Sequence, residues 1–174
     1  MLHDKEPGDN GSPRSQGNEE FPALAGLARQ SSARGGRPGI WVRLLWNRDP
    51  QIPFSWRSRR DPEYLDPTVP ELHRYVQQDS RPLRAWCYTL SKHDFSTFDL
   101  LGRWGFQMGS QITDGGWRFA DETVPTAEAI LHLYQAIYQA SQAALILGCN
   151  GMGHLGAGWM HPNRPGDHTR GRLG

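Results

Sequence analysis

Only two cysteines, Cys87 and Cys149, occur among the 174 residues. That is too few for a disulfide framework or a cysteine-rich zinc module, so a reducing compartment is expected. Lysine is equally scarce, since all but Lys5 and Lys92 of the 19 basic residues are arginine. Arginine's planar fork suits bidentate contacts to phosphate, although this bias alone decides nothing. The N-terminus lacks the basic-then-apolar order of a secretory leader. Residues 129–147 are uncharged, but His132, Gln135, Gln139 and Gln142 form a polar line that would be costly in lipid. No membrane span is expected.

Catalytic signatures are missing too. No nucleophile sits in a strand–turn–helix elbow and no paired carboxylates share an expected face, so no enzyme is expected. Gly151, Gly153 and Gly156 have dinucleotide-fingerprint spacing, yet they follow a helix and open none. His154, His161 and His168 stand seven apart downstream of Cys149, without the compact turn of a zinc site. Neither a metal nor a cofactor is expected.

What is present suffices for a core: 37% of residues are hydrophobic and seven are tryptophan, enough for one globular domain with tails. The net charge of +1 conceals an uneven distribution. Residues 1–28 hold two basic and five acidic groups, whereas 29–60 hold eight arginines against Asp49 alone.

The clearest element is a helix over 125–147. Ile130, Leu133, Ile137, Ala140, Ala144 and Leu147 recur at helical spacing, with Pro125 and Thr126 at the start, Glu128 facing the dipole and Gly148 as the stop. A short helix is expected over 40–47 after Pro38, and an edge strand over 52–60 in which Phe54 and Trp56 alternate with Arg57 and Arg59. Pro70 opens a helix over 69–76, a second runs over 81–90, and 96–101 forms a further turn. Asp114-Gly115-Gly116 signals a hairpin over 109–123 that packs on the long helix. The expected organisation is a disordered arm over 1–36, an α/β (α+β) core over 37–148 and a Gly/His-rich disordered tail over 149–174.

Aromatic residues interleave with arginine at Trp41, Arg43, Trp46, Arg48, Trp56, Arg57, Arg59 and Arg60. Arginines give salt-sensitive phosphate contacts and tryptophans stack on bases, so nucleic-acid binding is one reading. A tryptophan core with a solvated arginine face is the other. Gly–Trp neighbours at 104–105, 116–117 and 158–159 resemble Argonaute-binding hooks, and support an alternative as a viral or host protein-interaction module.

The order of elements is also informative. The stretches 54–61 (Phe-Ser-Trp-Arg-Ser-Arg-Arg-Asp), 71–74 (Glu-Leu-His-Arg), 105–107 (Gly-Phe-Gln), 131–133 (Leu-His-Leu) and Ala136-Ile137 run collinearly. Together they resemble the nineteen-kilodalton suppressor of RNA silencing of tombusviruses. That resemblance implies a homodimer, its sheet continued between subunits, that sequesters double-stranded small interfering RNA in the host cytoplasm by reading A-form shape rather than sequence. It assigns end-stacking to Trp41 and Trp46, the basic strand to Arg57, Arg59 and Arg60, and polar contacts to Gln107, Gln111, Thr113 and Thr126. The family's two tryptophans stand three residues apart on one helical face, whereas Trp41 and Trp46 are five apart, about 140° around a helix.

Overall fold

The structure, a computed structural model, describes residues 2–4, 21–102, 118–141 and 144–164. Five strands, β1 (Leu2–Asp4), β2 (Gly39–Val42), β3 (Leu90–His93), β4 (Leu145–Cys149) and β5 (Asn163–Arg164), form one sheet in the order β1-β2-β3-β4-β5. Every neighbouring pair is parallel. Parallel neighbours need a crossover, and helices supply them. These are α1 (Leu24–Ala33), α2 (Pro70–Ala85), α3 (Ser96–Leu101), α4 (Thr126–Ser141) and the single turn α5 (Gly153–Gly156). A sequential order in which each strand joins the one before it is that of a β/α barrel wall, not of a doubly wound sheet, whose order reverses. The α/β fold class agrees with the sequence-based expectation.

Alternation along the strands decides which face the helices cover. Ile40, Val42, Ser91, His93 and Ile146 are buried, whereas Leu145 is 48% exposed on the other face. Leu72 and Val76 of α2 and Ile130, Leu133 and Ile137 of α4 form the main core with Ile146. Leu24 and Ala28 of α1 pack with Ile40, Val42, Leu83 and Tyr88 in a second cluster. The Tyr88 hydroxyl donates to the Leu24 carbonyl at 3.0 Å, and burial pushes its pKa up to about 12.

Several local expectations are corrected. Residues 40–47 are not a helix: β2 occupies Gly39–Val42, inserted between β1 and β3, where its backbone groups find partners on both sides. Residues 52–60 are not a basic strand. Phe54–Trp56 is a 3-10 turn, and Arg57 makes only an isolated bridge to Leu65. The two helices expected around Pro82 are one helix, α2, with Pro82 inside it, and Leu90 begins β3.

The long helix stops at Ser141, and Leu145–Cys149 is a strand. A short continuous apolar run has no period that distinguishes a helix end from a strand of a parallel sheet. Gly148 is therefore no helix stop: a Cβ there would lie 2.7 Å from Asn163 Oδ1, so the missing side chain lets β5 approach β4. Of the expected hairpin, 109–117 lies outside the described residues and 118–123 is loop and turn. Segments expected to be disordered contain β1 and α1 on one side and α5 and β5 on the other.

Candidate active site at the strand ends

In sequential parallel β/α folds the loops at the C-terminal strand ends build the functional site. The register aligns His93 with Gly148, and Gly148 with Asn163, so residues just past β2, β3 and β4 converge. Asp94 lies at that point. Its N–H donates to the Val42 carbonyl at 3.0 Å, continuing the ladder by one residue. Two residues apart on one strand, Lys92 and Asp94 share a side.

Asp94 is 4% exposed, and its carboxylate accepts from β2, from β3 and from just beyond β4. Oδ2 takes the Trp41 indole N–H from β2 at 3.0 Å and pairs with the Lys92 ammonium at 2.9 Å. Oδ1 takes the Phe95 backbone N–H at 2.8 Å and the Asn150 carboxamide from beyond β4 at 2.6 Å. Burial pushes the Asp94 pKa up, but the hydrogen bonds from Lys92, Trp41 and Phe95 outweigh it and hold the group below the ordinary aspartate value. The result is a buried carboxylate kept charged by a fixed set of donors.

The backbone is strained on both flanks. Phe95 (φ 59°) and Asn150 (φ 54°) are two of three non-glycine residues in the left-handed region among the described residues, a conformation that clusters at functional sites.

A second acid nearby is structurally committed. Arg43 approaches both Asp99 oxygens through Nε at 3.1 Å and reaches Oδ1 through Nη2 at 2.7 Å, and the Asp99 side chain is fully buried. The guanidinium also stacks 4.7 Å from the Phe95 ring centre and 5.1 Å from that of Trp46. The pair ties α3 to the end of β2 and braces the Asp94 loop. On the opposite flank the Tyr134 hydroxyl of α4 accepts the Met152 N–H at 3.0 Å. A Cβ at Gly151 would lie 2.7 Å from that oxygen, so this glycine permits the close seating.

The residues expected to contact RNA separate in the fold. Trp41 lies in the sheet with its indole on Asp94. Trp46 lies in the long loop after β2, bridged to Tyr64, and donates to Glu63 at 3.2 Å. The two tryptophans are thus on no common helix. Arg57 donates to the carbonyls of Asn47, Asp49 and Pro62, locking that loop. Arg59 pairs with Glu122 at 3.1 Å on the surface. The Arg60 guanidinium stands 5.3 Å over Tyr64 and donates to the Asp99 carbonyl at 3.4 Å. Thr126 opens α4, while Gln107, Gln111 and Thr113 lie outside the described residues.

Sequence reasoning missed Asp94, Lys92 and Asn150. The detectable signal was the acid that closes Leu90-Ser-Lys-His-Asp just before a helix start at Ser96.

No protein-family model matches this sequence, and no curated protein matches it significantly. Solved structures share its fold. The alpha-galactosidase of Thermus thermophilus in complex with p-nitrophenyl alpha-D-galactopyranoside aligns over 87% of this chain and 31% of its own, at 21% identity and a TM-score of 0.60. The isomalto-dextranase of Arthrobacter globiformis T6 complexed with panose covers 92% and 31%, at 15% identity and 0.60. The GH27 β-L-arabinopyranosidase of Geobacillus stearothermophilus covers 87% and 36%, at 11% identity and 0.55. The chain thus spans about a third of these structures, and at such identities the likeness establishes the fold. It corrects the expectation that no enzyme is present, because the architecture is one that glycoside hydrolases share.

Proposed function

We propose that the chain carries the nucleophile side of a glycoside hydrolase active site, with Asp94 as the reacting carboxylate. One observation carries this proposal: a buried, charge-stabilised aspartate lies at the C-terminal end of a parallel strand, in a fold shared with glycosidases.

Retaining glycosidases need two carboxyl groups about 5–5.5 Å apart, one ionised to attack the anomeric carbon and one protonated to release the leaving oxygen. Environment assigns the roles. A group held below its ordinary pKa suits the ionised role and makes a poor general acid at neutral pH. In the proposed reaction an Asp94 oxygen forms a bond to the anomeric carbon as the glycosidic bond breaks. The leaving oxygen takes its proton from the second carboxyl group, and water then returns Asp94 to the free carboxylate. Lys92 and the Trp41 indole keep the carboxylate oriented throughout.

The test uses a panel of p-nitrophenyl hexo- and pentopyranosides, with a fluorosugar inactivator of the preferred type. Turnover by the wild type, its loss by at least about 100-fold in Asp94→Asn, and a glycosyl mass on the peptide containing Asp94 are expected. Absence of turnover and of labelling across the panel would remove the proposal.

A second reading, sequestration of small RNA duplexes, is favoured by one surface feature. Phe54, 78% exposed, and Arg59 line an open groove with Arg57, Ser55 and Ser58, a pairing of aromatic face and cation suited to bases and phosphates. Mobility shifts with a short RNA duplex, the same DNA duplex and single-stranded RNA test it. Selective retardation of the RNA duplex, weakened in Arg59→Ala, supports it, and equal failure with all three probes removes it.

A further inference from the structure

We infer that Asn150 is a positioning residue for Asp94, its carboxamide fixing the direction of the carboxylate from the neighbouring strand. The inference rests on Asp94 being the reacting group. Of the four contacts on Asp94 the one from Asn150, at 2.6 Å, is the shortest. It links β4 to β3 where β2 contributes Trp41, so each of three adjacent strands supplies a donor. A carboxylate oxygen only accepts, so the amide must present Nδ2, and its own oxygen turns away.

That oxygen bears the cost. Among the described residues Asn150 Oδ1 is buried without a hydrogen-bond partner, and the residue is 2% exposed. Buried amide oxygens are ordinarily satisfied, and an orphan calls for a cause. The backbone is strained as well, at φ 54°, and is held there by the Asn150 N–H donating to the Arg164 carbonyl at 2.8 Å. A strained backbone and an unsatisfied carbonyl meet at one residue whose side-chain bond, among the described residues, goes to Asp94. A residue chosen only for its backbone would serve better as glycine, which adopts positive φ freely and buries no amide.

This contrast supplies the experiment. Asn150→Gly keeps the backbone conformation and deletes the amide, so a fold role and a positioning role separate. In Asn150→Gly, kcat on the preferred aryl glycoside falls about 100-fold with KM little changed, and the Asp94 carboxyl titration, followed by carbon NMR, moves up because the carboxylate has lost a donor. Asn150→Asp places a second carboxylate against Asp94 and moves that titration further up. Circular dichroism confirms that both variants fold. An Asp94 titration in Asn150→Gly that matches the wild type overturns the inference, whatever happens to kcat. If the wild type hydrolyses no glycoside while the titration still moves, the hydrolase proposal fails and only the amide's hold on the Asp94 carboxylate remains.

Discussion

Arg43 and Asp99 show how one residue can govern a site without entering it. The Asp99 side chain is completely buried and the Arg43 side chain is 15% exposed, so removing one partner strands a charge in a poorly solvated place. Arg43→Met is expected to cost about 3–5 kcal/mol of unfolding free energy, measured by urea denaturation. Arg43→Lys keeps the charge and loses the bidentate fork, and should cost less. The double variant Arg43→Met/Asp99→Leu should recover much of the loss, because no charge remains unpaired. If the single and double variants are equally destabilised, stacking of the guanidinium on Phe95 and Trp46, rather than the ion pair, is the main contribution.

At the scale of elements, the α2–α4 contact carries a pH response. His73 on α2 meets His132 on α4 with ring centres 6.1 Å apart, and its Nε2 lies 3.0 Å from the Pro67 carbonyl. Burial lowers the His73 pKa; the Pro67 carbonyl opposes this and His132 adds to it. The folded state therefore binds a proton less readily than the unfolded state, whose histidine titrates near 6.5. Stability is full above about pH 6.5, falls as pH drops below it, and levels off beneath the folded-state value. Denaturation midpoints between pH 7.5 and 5 should show this fall, and His73→Gln should reduce it. An identical pH dependence in the variant would place the response elsewhere.

The same elements show what the sequence could reveal. Pro70 at the head of α2, the span of α3 and the start of α4 were legible, because caps and helical periodicity are local signals. β2, β3 and β4 were not, since strands of four or five residues buried within a parallel sheet offer too short a run for any period to emerge. The site was hidden for a further reason. The Trp41 and Asn150 donors stand 53 and 56 residues from Asp94, and only the sheet register brings them together. Trp41, expected on a short helix and assigned to duplex ends, belongs instead to the carboxylate's own shell.

Across the whole molecule the helices shield one sheet face, and protection should grade from the centre outward. β2, β3 and β4 are each paired on both sides, whereas β1 and β5 are edges of three and two residues. Native-state hydrogen exchange should therefore find the amides of Ile40 and Ser91 slowest and those of β5 among the first to open. Equal protection in β5 and β3 would show that the edge is closed by something beyond the described sheet. The strand order has a further consequence, for the nascent chain. Because every strand pairs with the one synthesised just before it, the sheet can extend as the polypeptide emerges, and no strand waits for a distant later partner. Asp94 is made after Trp41 and Lys92, but its Asn150 contact exists only once β4 has docked. On the ribosome, the carboxylate is therefore acquired before it is aimed.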